Sequence, residues 1–66
     1  MMRLIWLTAL ETSEPVGVPV ARIAMIEQKS MKDAQIVAIH LDTGKEIRVI
    51  EPLAEIRRMV ESGASN

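Results

Sequence analysis

The chain has 66 residues, with eight Lys and Arg against nine Asp and Glu, a formal charge of −1 and no cysteine. That balance argues against the clustered basic surface and stacking aromatics of strong nucleic-acid binders, and against a polybasic hold on anionic membranes. Without cysteine there is no disulfide or thiolate-metal staple, and the lone histidine, His40, has no second nitrogen or sulfur ligand to complete a zinc site.

A chain this short forms one domain, here expected over 1–62 with 63–66 as a frayed tail, and buries only about 60% of its unfolded surface. Stability must come from the apolar content, 48% of the residues, or from self-association. The longest apolar run, "LIWLTAL" at 4–10, is too short to span a bilayer, and "ETSEP" after it lacks a small-residue cleavage pattern. The expectation is a cytoplasmic protein.

In chain order, residues 2–10 read as a strand apolar on both faces, with Leu4, Trp6 and Leu10 on one side and Ile5 and Leu7 on the other. Trp6, the only aromatic, is expected to plug the core. After a loop at 11–15, "VGVPV" (16–20) sets three valines on one face, and Pro19 marks a strand end or edge. Residues 21–28 read as a strand and 28–34 as a polar connection. The clearest strands are 35–41 and 45–50, joined by Asp42-Thr43-Gly44, which suits a type I turn with glycine in the left-handed region. That turn pairs Ile39 with Ile47 and Val37 with Val49 on one face, and His40 with Glu46, Ala38 with Arg48 and Ile36 with Ile50 on the other. Pro52 then opens a helix over about 52–62, whose stripe is Leu53, Ile56, Met59 and Val60, with Gly63 as its stop.

Reactive chemistry is not legible here. His40 and Glu46 face each other without a nucleophile or oxyanion donor, so a solvated cross-strand pair is the reading. Glu11 and Glu14 lack the oxygen set of a calcium site. "TGK" lacks the rest of a phosphate-binding loop, and "VGVPV" lacks the glycines of a dinucleotide fingerprint. Arg57 and Arg58 read as a helix face balanced by Glu55 and Glu61. The expectation is no enzyme, no catalytic residue, no cofactor and no metal.

The order of segments resembles the small FlbD-like flagellar proteins over nearly the whole chain. The pieces that carry the likeness are Leu4 and Leu7, Val16-Gly17-Val18, Ile23, Ile26-Glu27, Thr43-Gly44-Lys45, and Glu51 with Glu55-Ile56. "TALETSEP" stands where that family has a short Asn-Gly turn, and Pro19-Val20 where it has Asn-Pro. The resemblance implies a non-enzymatic, motility-associated protein and brings no catalytic residues. A second likeness, to the carbon-storage-regulator type of RNA-binding protein, rests on an opening apolar strand carrying Arg3.

The expected fold class is therefore α+β: a small antiparallel β-sheet of four to five strands with one C-terminal α-helix packed on a face. One helix covers one face only. Ile5, Leu7, Ile36 and Ile50, with Met1 and Met25, are left as an apolar surface expected to bury itself in a homodimer or against a protein partner. Asp42 and Gly44 are the expected structural turn.

Overall fold

Residues 3–64 are described in the computed structural model, so Met1 of the expected dimer surface and the end of the expected tail lie outside the described residues. The elements are β1 (Leu4–Thr8), β2 (Pro15–Pro19), a 3-10 turn (Val20–Arg22), β3 (Ile23–Met31), β4 (Ala34–Leu41), β5 (Glu46–Val49) and α1 (Leu53–Ala64). The class is α+β, and every strand pairing is antiparallel.

The turn between β4 and β5 forms as its residues dictate. Gly44 has φ +96°, its N–H donates to the Leu41 carbonyl at 2.9 Å, and the Leu41 N–H donates to the Lys45 carbonyl at 2.8 Å. The register follows: Val37 faces Val49, Ala38 faces Arg48, Ile39 faces Ile47 and His40 faces Glu46. Because β5 ends at Val49, Ile36 and Ile50 do not form the expected ladder pair.

The expectation of one four- to five-stranded sheet is corrected. The strands form a two-stranded sheet, β1–β2, and a three-stranded sheet, β3–β4–β5. They are stitched at one place, an Ala9–Val49 bridge with Leu10 N–H to Arg48 carbonyl at 2.9 Å and Ile50 N–H to Thr8 carbonyl at 3.1 Å. The ladder stops there because β5 is short and the chain leaves it for the helix. The Glu51 carboxylate accepts from the Thr8 N–H, both oxygens at 2.9 Å, where the Ile50 carbonyl would otherwise continue the ladder. A backbone donor is thus satisfied by a side chain.

One core serves both sheets. Ile5 and Leu7 of β1, Val18 of β2, Val37 and Ile39 of β4, Val49 of β5 and Ile56 of α1 form a single buried cluster. Leu53, Met59 and Val60 pack against it, so the helical stripe is the expected one. The Pro52 carbonyl accepts the first helical bonds, from Glu55 N–H at 3.0 Å and Ile56 N–H at 3.1 Å, and the helix runs through Gly63 to Ala64. Near the other end, Arg3 donates through Nη2 to the carbonyls of Met59 (3.3 Å) and Val60 (3.2 Å). A cation there also complements the negative end of the helix dipole.

The connection expected at 28–34 is mostly strand. β3 continues to Met31 and returns through Lys32 and Asp33, with Lys32 at φ +53°. Gln28, Ser30 and Gln35 are exposed, so polar residues cost nothing there and the ladder with β4 prevails over composition.

The edges at β2 and β3, the strands farthest from the stitch, differ. Val20 N–H to Arg3 carbonyl and Ala9 N–H to Glu14 carbonyl flank the β1–β2 ladder. Antiparallel alternation then turns the backbone of Pro15, Gly17 and Pro19 outward. Two of those three positions have no N–H to offer. On β4, Leu41 bonds to the β5 side, so His40, Ala38 and Ile36 bond to Met25, Glu27 and Lys29 of β3. The outward backbone groups of β3 are therefore those of Ile26, Gln28 and Ser30, with no proline among them.

Candidate interaction surface

The outer face of β1–β2 carries Leu4, Trp6 and Thr8 opposite Pro19, Gly17 and Pro15. None is charged. Strand alternation sends Ile5, Leu7 and Val18 inward, and so sends Trp6 out, where it is 62% exposed. The expectation that Trp6 plugs the core is corrected: the core is aliphatic and full without it. The indole lies over Gly17, where an added Cβ would sit 3.1 Å from Cη2, 3.2 Å from Cζ3 and 3.3 Å from Cζ2. Gly17 is there for close approach of the ring. Ile50, 53% exposed, follows Thr8 across the stitch, because paired residues share a face.

The outer face of β3–β4–β5 has the opposite character. Ala38 is fully buried at its centre, between Glu27 and Arg48 in register. Lys29 reaches Glu46 at 3.5 Å and Glu27 at 4.0 Å, Arg48 meets Glu46 at 3.4 Å, and His40 Nε2 meets Glu27 at 3.1 Å. The expected His40–Glu46 pair is in register, but the imidazole's hydrogen bond goes to β3 instead. Partial burial pushes the Glu46 carboxyl up, but Lys29, the Arg48 hydrogen bond and His40 outweigh it and hold the group below its ordinary value.

The four residues expected to form a dimer face separate. Ile5 and Leu7 lie in the core, so their assignment to a partner face is corrected: β2 and α1 supply the cover that the sequence did not show. Ile36 is also buried, 6% exposed, opposite Lys29 on the charged side. Only Ile50 remains at the surface, joined there by Leu4, Trp6 and Met25. Asp42 and Gly44 build the expected turn, and Asp42 adds an ion pair to Arg22 at 3.4 Å.

No protein-family model matches the chain, and neither a curated protein nor a solved structure matches it.

The residues themselves therefore carry the functional reading. Among the described residues, no group of three or more His, Asp or Glu is placed to hold a metal ion, and no helix is long and apolar enough to cross a membrane. An open groove of ≈ 360 Å³ runs between the β1–β2 turn and β5, over Ala9, Val16 and Ile47, with Glu11, Lys45 and Arg48 at its rim. On the helix, Arg57 is paired with Glu61 at 3.1 Å. Sequence reasoning missed the exposed tryptophan; the one available signal was Gly17 opposite it, flanked by prolines at 15 and 19.

Proposed function

We propose that this protein is a non-enzymatic, cytoplasmic interaction module that acts as a homodimer and takes a protein partner on the Trp6 face. The observation that carries the reading is the exposed indole, the chain's only aromatic ring, held flat over Gly17 on a face without charge. Tryptophan is a large, rigid anchor and is enriched among residues that dominate binding energy. Pro15 and Pro19 disfavour strand addition at the β2 edge. The partner therefore lays apolar side chains on the ring and against Leu4 and Pro19. The likeness to FlbD-like proteins makes motility the first setting in which to seek that partner.

The RNA-binding alternative has less to rest on. Arg3, the residue that suggested it, is spent on the carbonyls of Met59 and Val60. Lys29, Arg48 and Arg57 each face a carboxylate, which would compete with phosphate for them.

The test is Trp6→Ala, with Arg58→Ala as the surface control, compared for thermal melting and for recovery of cross-linked partners from the native cell. Trp6→Ala should keep the melting temperature and lose the partner that Arg58→Ala retains. A Trp6→Ala protein that unfolds, or that binds as well as the parent, refutes the reading.

A further inference from the structure

We propose that two copies join along β3, antiparallel about a two-fold axis at Gln28, to make one continuous six-stranded sheet. The proposal rests on the homodimer reading above and names the surface that reading leaves open.

The backbone supplies the first reason. Ile26, Gln28 and Ser30 present N–H and carbonyl groups away from β4, and among the described residues no backbone bond joins them to another strand. Such a row is a template for pairing with a second chain. The β2 edge is closed by Pro15 and Pro19, whereas β3 has no proline, and its ladder irregularity lies at Ile23–Met25, short of this stretch.

Charge complementarity chooses the occupant and the register. With Gln28 opposite Gln28 of the second copy, Glu27 falls opposite Lys29 and Lys29 opposite Glu27, while Ile26 meets Ser30. Both pairs are of opposite sign, and they are the two symmetry copies of one contact. A register shifted by two residues toward either end sets Lys29 against Lys29 or Glu27 against Glu27, which is repulsive. The backbone agrees independently. Outward groups sit at 26, 28 and 30, so the axis passes through a hydrogen-bonded pair. The pairs at 27 and 29 are then the non-hydrogen-bonded ones, whose side chains come closer. The same two residues already belong to the charged mesh of the outer face, through His40 and Glu46. The dimer extends that mesh across the axis.

Sedimentation across micromolar concentrations tests the charges. Glu27→Lys and Lys29→Glu should each weaken dimerisation by about tenfold or more, equivalent to about 1.4 kcal/mol. The double exchange Glu27→Lys/Lys29→Glu should restore it, because the pairs re-form with signs reversed. Thermal melts of all three show whether a loss comes from unfolding. A second measurement needs no charge. The chain has no cysteine, so Gln28→Cys should cross-link under mild oxidation. Ser30→Cys should not, since its two copies would lie about 13 Å apart along the strands. A double exchange that stays monomeric while folded, or Gln28→Cys linking no faster than Ser30→Cys, overturns the β3 register. A parent that remains dimeric in that case keeps the homodimer reading and moves its surface elsewhere. A parent that is monomeric at high micromolar concentration sinks both.

Discussion

The two sheets share one core yet turn opposite surfaces to water. On β3–β4–β5, a buried alanine lets charged side chains fold over the sheet and find one another. On β1–β2, the smallest residue lies under the largest ring, and that ring is mostly exposed. A small residue at the centre of a sheet face thus has two uses here. At Ala38 it makes room for a self-satisfied mesh. At Gly17 it makes room for a displayed anchor. The lesson is that charged surface can be closed off by its own pairing, while uncharged surface stays available.

Removing what the two sheets have in common should have the largest effect. Ile56 is fully buried where α1 meets both. Ile56→Ala should cost about 2–5 kcal/mol, and denaturant unfolding should show both sheets lost in one transition. Separate transitions would mean that the core is divided. Next comes the hairpin that sets the charged face. Gly44 stands at φ +96° with open space around it, so Gly44→Val strains the backbone without a clash. It should cost about 1–2 kcal/mol or more, read as a lower unfolding midpoint.

Gly17→Ala probes the uncharged face and should change stability by less than about 1 kcal/mol, the range of surface substitutions that avoid core damage. The added methyl presses on a ring that solvent leaves free to lift, so the emission of the sole tryptophan should shift instead. A large loss of stability would show the ring to be structural. The smallest effect belongs to the charged face in acid. The Glu46 carboxyl is held below its ordinary value, so its contribution is present above the unfolded pKa of about 4.3 and is lost as pH falls through the lower folded value. Glu46→Gln should flatten that part of the stability–pH curve below pH 4.3, as followed by melts at successive pH values. An unchanged acid slope would mean that Lys29 and Arg48 do not favour the charged carboxylate.

What the sequence made legible was local. Asp42-Thr43-Gly44 carried its own turn, two alternations agreed on the register through it, and Leu53, Ile56, Met59 and Val60 marked the buried side of a helix. What it hid was long-range. Whether Ile5 and Leu7 or Leu4 and Trp6 face inward depends on which side β2 and α1 cover, and both sides of that strand are apolar. Size favoured Trp6 for the core, but parity along the strand placed it outside. The split into two sheets depends on where β5 stops and on one carboxylate, Glu51, taking a backbone role. Those are meetings between distant parts of the chain, and neither partner announces the other.

Arg3 lies 56 and 57 positions from the carbonyls it binds, in a chain of 66. Such a closure joins the start of β1 to the later turns of the helix, so it brings every strand described here into one loop. Loop entropy makes that the late event of folding, and topology of this kind slows the search relative to a helical bundle of equal size. During synthesis, β1 and β2 can pair as soon as they emerge, but their apolar inner face must wait for α1. The nascent chain therefore exposes Ile5, Leu7 and Val18 until α1 has emerged. That interval, rather than the folded state, is where this protein is most open to misassociation.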